Sequence, residues 1–305
     1  MSPIPVTILH GFLGSGKTTL LRQVLNRAKQ EENIPAVIVN DMSELDVDGV
    51  LIANTDVVSE AEGNFITISG DSISSPEGVK KIDAALSKLA KENMPPWVLI
   101  ETSGSSHPLP LVQYFKTQKQ FALKGVITLV DATWLNTDYQ QGSQLIPKWQ
   151  ENLQKGKRGV ENLLVEQIMF SNRVFLTKSD RLDANAIQAV AQSLHPINPY
   201  AAIMSTSWGN ISTAQLTQVE NYNFELVEQL SKELKDQVDA PLTLSGKAGQ
   251  KIVAKVINDD RPFHPQRLWE TCHSYLTEGV FRSKGFFWMP SRDDMSLLWT
   301  KPTEV

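Results

Sequence analysis

The chain has 305 residues, 41% of them hydrophobic and 21% charged, a balance too apolar for a disordered protein. At roughly 100 to 200 residues per domain the length suggests about two domains. Lys plus Arg is 29 against 34 for Asp plus Glu, a formal charge of −5. That sign argues against a general nucleic-acid binder. A single cysteine, Cys272, excludes an internal disulfide and a cysteine-cluster metal site. No run of about 20 apolar residues, the length that crosses a bilayer, occurs, and Met1-Ser2-Pro3-Ile4-Pro5 lacks the basic start of a signal peptide. The reading is a cytoplasmic chain with no membrane partner.

Val6 to His10 reads as a buried strand and Gly16 to about Glu31 as a helix, with Leu20, Leu21, Val24 and Leu25 on one face. Strands follow at Ala36 to Asn40 and Asn64 to Ser69, then a helix at Glu77 to Glu92. Further strands are expected at Trp97 to Glu101, Gly125 to Asp131, Arg173 to Lys178 and Ala201 to Ser205. Helices are expected at Val160 to Phe170 and Ala184 to Leu194. Strands that are apolar throughout, alternating with helices, predict an α/β fold with a mostly parallel sheet covered on both faces. The pattern changes after Gln218, so the domain limits are placed at 1–218 and 219–305. The second segment reads as a polar helix over Asn221 to Val238, a loop, and a small α+β unit. That unit comprises a strand at Lys251 to Ile257, a helix at Pro265 to Thr277, a strand at Val280 to Met289, a turn at Ser291 to Asp294 and a last strand at Ser296 to Thr300.

Between the first strand and helix lies Gly11-Phe12-Leu13-Gly14-Ser15-Gly16-Lys17-Thr18, followed by Thr19. This is the P-loop pattern. Gly11, Gly14 and Gly16 let the backbone curl so that N–H groups converge on one anion, with Ser15 inside the curl. The next helix presents its positive end. Lys17 then reaches the terminal phosphates and Thr18 ligates magnesium. Trp97 to Glu101 is an apolar strand ending in a carboxylate, and Thr102-Ser103-Gly104 follows it. Glu101 suits a magnesium shell or a water, and Gly104 permits close backbone approach to a γ-phosphate. Asp131, at the end of the next strand, reads as structural. Asp41, Glu44, Asp46 and Asp48 crowd the loop after Asn40. That loop reads either as a solvated acidic segment or, through Asp41 or Glu44, as a contact to the nucleotide's magnesium.

Thr177-Lys178-Ser179-Asp180 at a later strand end is similar to the guanine-reading motif of GTPases, Asn-Lys-x-Asp. A carboxylate at Asp180 accepts from the guanine N1–H and its exocyclic amine, a pair adenine does not offer. The Lys178 stem would cover the base. Thr177 replaces the usual asparagine, which puts GTP affinity and loop tethering in question.

Together these segments resemble the CobW-type GTPases, relatives of HypB and UreG. Further marks are Val39-Asn40-Asp41-Met42-Ser43-Glu44, Leu163-Leu164-Val165-Glu166-Gln167-Ile168, Arg261-Pro262-Phe263-His264-Pro265 and Arg282-Ser283-Lys284-Gly285-Phe286-Phe287-Trp288. The resemblance implies a P-loop NTPase with a small C-terminal domain, acting as a GTP-hydrolysing metal chaperone or insertase with GTP and magnesium as cofactors; no arginine finger is obvious in the sequence, so hydrolysis is expected to be slow. It also implies a client metalloprotein, and leaves oligomerisation open. Lys17, Glu101, Asp41 and Glu44 would then be the catalytic set.

One departure matters. The family carries Gly-Cys-x-Cys-Cys after its third strand. The matching stretch here is Gly70-Asp71-Ser72-Ile73-Ser74-Ser75, with serine at every cysteine position. A neutral hydroxyl is a poor zinc ligand beside a thiolate, so zinc stays open. Two alternatives follow: a nucleotide switch that has lost metal transfer, and an ATP-dependent small-molecule kinase on the same sheet.

Overall fold

The structure, a computed structural model, describes residues 2–41, 52, 57–59, 63–69, 73–92, 94–219, 221–236, 259, 261–275, 283–290 and 292–301. Glu44, Asp46, Asp48, Gly70, Asp71, Ser72 and the strand expected over Lys251 to Ile257 lie outside the described residues, as does the side chain of Asp41.

Seven strands form one sheet: β1 (Ile4–Gly11), β2 (Ala36–Asp41), β3 (Phe65–Ser69), β4 (Val98–Glu101), β5 (Phe121–Asp131), β6 (Arg173–Thr177) and β7 (Ala202–Ser205). Their order is β3-β2-β4-β1-β5-β6-β7. Every pairing is parallel, where the sequence predicted a mostly parallel sheet. The helices are α1 (Lys17–Gln30), α2 (Pro76–Glu92), α3 (Leu109–Lys116), α4 (Ala132–Asp138), α5 (Leu145–Gln154), α6 (Val160–Met169), α7 (Ala184–Leu194), α8 (Ala214–Thr217), α9 (Phe224–Asp236) and α10 (Pro265–Tyr275). A turn of 3₁₀ helix spans Ser179–Arg181.

Side chains along a strand alternate between the two faces of a sheet, and the core divides accordingly. Ile4, Val6 and Ile8 of β1 join Val98 and Ile100 of β4 in one cluster, under Ile82, Leu86, Leu111, Leu164 and Ile168. Leu9 and Leu99 point the other way and meet Leu20, Leu21, Val24 and Leu25 of α1. Both faces are therefore dry, which is why the strands read as unbroken apolar runs.

The helix over Phe224–Asp236 begins and ends inside the span expected for it. Val227 and Leu230 belong to the first cluster, and the Tyr222 hydroxyl donates to the Phe170 carbonyl at 2.6 Å. The segment after Gln218 thus packs against the sheet domain. Farther on, β8 (Ser283–Met289) and β9 (Arg292–Lys301) form an antiparallel hairpin. The turn expected over Ser291 to Asp294 is tighter than that, since β9 already begins at Arg292. Phe263 extends the hairpin, donating its N–H to the Trp288 carbonyl at 2.9 Å and packing edge-on against Phe287.

Candidate functional site

The strand order reverses at β1, which has β4 on one side and β5 on the other. In parallel α/β sheets the carboxyl ends of the strands diverge at such a point and leave a crevice. Register fixes what lines it. Leu9 pairs with Glu101, Gly11 with Leu129, and Asp131 with Thr177. The P-loop, Glu101, Asp131 and the Thr177–Asp180 turn therefore share one edge.

The P-loop is curled as the sequence requires. Gly11, Gly14 and Gly16 have φ of 149°, 82° and 95°. At Gly11 an added Cβ would lie 2.7 Å from the Leu129 carbonyl oxygen, so the loop starts against β5 with no room for a side chain. The Ser15 N–H donates to the Phe12 carbonyl at 3.1 Å. The Phe12 ring stacks on Trp134 of α4 at 5.3 Å and anchors the loop into the core. Lys17 is 7% exposed, and its ammonium donates to the Gly11 carbonyl at 2.8 Å. Helix α1 starts with no side-chain cap and no acidic residue in its first turn. Its positive dipole end is the part of the helix that favours an anion. Thr18 is half-buried and Thr19 exposed at that end.

Glu101 is 3% exposed at the end of β4. Gly104, expected to approach a phosphate, approaches the P-loop itself: a Cβ there would fall 2.7 Å from the Leu13 backbone nitrogen. The loop after Glu101 is thereby pressed on the phosphate loop. A second link runs through His10, whose Nδ1 lies 2.8 Å from the Thr102 hydroxyl. His10 is fully buried, and desolvation, helped by the positive charge of Lys17 and by His107, lowers its pKa to about 3. Nothing in the sequence singles it out, because it sits in an otherwise apolar strand.

This gives a pH prediction. The folded value of about 3 lies below the ordinary value of 6.5, so protons favour the unfolded chain. The stability held by the neutral ring is complete above about pH 6.5 and is lost progressively as pH falls towards 3. At pH 5 the loss is about 2 kcal/mol, from about 1.36 kcal/mol per unit. Thermal melts at pH 7 and 5 should show this fall, and His10→Gln should show a shallower one. Equal slopes for the two chains would remove His10 as the cause.

At the other side of the crevice Thr177 replaces the expected asparagine, and the tether survives the change. Its hydroxyl donates to the Ser15 carbonyl at 2.8 Å, with the Val130 carbonyl at 3.3 Å. The base motif and the P-loop are thus directly bonded. Lys178 has a left-handed backbone with φ 56°, and its ammonium pairs with Asp131. Asp131 also caps α4, accepting from the Thr133 and Trp134 N–H groups at 3.0 and 3.2 Å. The structural reading of Asp131 gains a second part: it fixes the head of Lys178 and so directs its stem. Asp180 is exposed on the turn beside it.

Near the end of β2, the Asn40 side chain donates to the Ile68 carbonyl at 3.1 Å and accepts from the Ile73 N–H at 3.2 Å. It holds the segment that carries the serines. The Ser74 hydroxyl donates to the His107 carbonyl at 2.8 Å, and the Ser75 hydroxyl accepts from the Gly78 N–H at 3.0 Å as a cap on α2. Both hydroxyls hold backbone together. His107 in turn meets Glu166 at 2.7 Å. Among the described residues no group of three or more His, Cys, Asp or Glu side chains is placed to hold a metal ion, and no helix is long and apolar enough to cross a membrane.

A parallel sheet with a P-loop at its switch point, bonded to a base-type motif, defines a P-loop nucleotide-binding domain. Residues 5–205 match the CobW/HypB/UreG nucleotide-binding domain, and residues 252–301 match the cobalamin synthesis protein cobW C-terminal domain. The chain belongs to the CobW/HypB/UreG family. It is 29% identical over 314 residues to zinc-regulated GTPase metalloprotein activator 1 of Dictyostelium discoideum, covering 97% of this chain and 65% of that protein. It is 30% identical over 233 residues to the zinc chaperone YjiA of Escherichia coli, covering 74% of this chain and 64% of that one. The chain thus spans under two thirds of the length of these relatives.

Proposed function

We propose that this chain binds GTP with magnesium at the carboxyl edge of its sheet and hydrolyses it slowly to GDP and phosphate. It does so as a metallochaperone relative acting in the cytoplasm on a client metalloprotein. Its working parts are a nucleotide domain over 1–218 and a smaller C-terminal segment over 219–305. The observation that carries the reading is the Thr177–Ser15 bond, because it ties a guanine-type carboxylate turn to a P-loop with an uncapped helix end. An adenine-specific kinase has no use for Asp180 at that position.

Lys17 and the backbone of Gly14 to Thr19 would hold the phosphates. A hydroxyl and a carboxylate, Thr18 and Glu101, are hard oxygen donors that fit magnesium, with Asp41 as a further donor. Magnesium there would neutralise charge developing on the phosphates during in-line attack by water. Glu101, Asp41 and Glu44 are the candidates to orient that water. Positioning and charge neutralisation carry the reaction, and with no arginine finger obvious in the sequence turnover is slow.

A second reading is favoured by Ser74 and Ser75, whose hydroxyls hold the His107 loop and cap α2 where the family has thiolates. On this reading the chain is a nucleotide switch that docks its partner without carrying metal. GTP turnover measured with and without zinc decides between them. Stimulation by zinc together with stoichiometric zinc after gel filtration supports the chaperone. Turnover indifferent to zinc supports the switch, and no turnover with either rejects the hydrolase.

A further inference from the structure

Trp208 is 71% exposed, although a tryptophan normally buries most of its surface. Its backbone lies in the left-handed region, with φ 56°. That conformation is strained for a bulky side chain and persists only where the surroundings impose it. The surroundings do impose it. Just before Trp208, the Ser179 hydroxyl donates to the Thr206 carbonyl at 3.0 Å and lies 3.1 Å from the Ser207 hydroxyl. Just after it, a Cβ on Gly209 would fall 2.7 Å from Leu20 Cα and 3.3 Å from the Thr19 carbonyl oxygen, so the chain rests on the first turn of α1. Arg27 of α1 then donates to the Ile211 carbonyl at 2.7 Å and bonds the Asn210 side chain. Thr213 bonds Glu31. The loop is held on both sides of an indole that stays in water.

The two anchors are informative in themselves. Ser179 is the neighbour of Asp180, and the backbone of Thr19 and Leu20 belongs to the first turn of α1, the end that would hold the phosphates. The segment that carries Trp208 is therefore anchored on one side beside the group that would read the base edge and on the other to the helix that would hold the triphosphate. Lys178, with its ammonium fixed on Asp131, supplies one cover for a base. We propose that the Trp208 indole covers the other face of the guanine read by Asp180, making it an affinity determinant of the site. This rests on the nucleotide reading above and adds to it. An exposed ring on an anchored backbone has less freedom to lose on stacking than one on a loose loop, and stacking of a base on an aromatic is sequence-tolerant. Trp208 thus supplies affinity for a purine, and Asp180 selects which purine.

The test is calorimetric titration of the full chain, as wild type, Trp208→Ala and Trp208→Phe, with GTP and with inorganic tripolyphosphate, each with magnesium. Trp208→Ala is expected to weaken GTP about tenfold, within the range for loss of one base stack, and to leave tripolyphosphate unchanged. Trp208→Phe should recover most of the loss. GTP binding by Trp208→Ala within about twofold of wild type overturns the proposal. So does equal weakening of both ligands, which would make Trp208 a support for α1. Wild-type chain that binds neither ligand rejects the nucleotide site itself, and wild-type chain that binds only tripolyphosphate rejects the base site.

Discussion

Lys17→Ala is expected to weaken GTP binding by about 30-fold or more while leaving the fold intact. The ammonium is buried at 7% exposure and donates to the carbonyl of Gly11, inside the curl where phosphate would sit. Alanine keeps the helix dipole and the backbone N–H groups but removes the one full positive charge on the loop. Truncating one partner of a buried charge pair costs about 2–5 kcal/mol, so the affinity should fall by about 30-fold to several thousand-fold. Lys17→Arg should not rescue it, because a planar fork does not replace a compact ammonium in an enclosed loop. The unliganded chain should melt close to wild type, since removing a buried charge also removes its desolvation penalty. Titration with a fluorescent GTP analogue checks the first result and a thermal melt the second. Undiminished binding would mean that the anion sits elsewhere.

Much of the architecture could be read from local patterns. The P-loop is a contiguous run whose chemistry depends on spacing alone, and buried parallel strands announce themselves as unbroken apolar runs. Helices α3 and α5 fall in stretches where no helix is expected from the sequence, and Pro108, Pro110 and Pro147 lie there. All three stand at the start of their helices, where the missing N–H has no intrahelical partner in any case. Contacts across the sequence were harder still. Thr177 read as an asparagine that had lost a donor. What matters is that its one hydroxyl reaches Ser15, 162 positions away. Asp131 read as a strand end, and its hold on Lys178 depends on β5 and β6 being neighbours. The serines read as a deletion of metal chemistry. Their bonds to His107 and Gly78 give them a job that no single sequence could reveal.

The same neighbourhood yields the second large effect. Asp180→Asn should weaken GTP by about 100-fold or more and leave ATP unchanged. Each hydrogen bond to a charged group contributes about 1.5–3 kcal/mol, and guanine would give two of them to Asp180. An amide offers one acceptor and one donor where guanine brings two donors, so one of guanine's groups meets a like group. Xanthine has a carbonyl where guanine has its exocyclic amine, and it fits the amide's pattern. Xanthosine triphosphate should therefore bind Asp180→Asn better than wild type. This reversal separates base recognition from general damage, which would weaken every nucleotide alike. Competition of GTP, ATP and xanthosine triphosphate against one labelled ligand gives all three affinities. If Asp180→Asn retains the wild-type order of preference, Asp180 does not read the base. The Thr177 bond to the P-loop would then be a matter of folding alone.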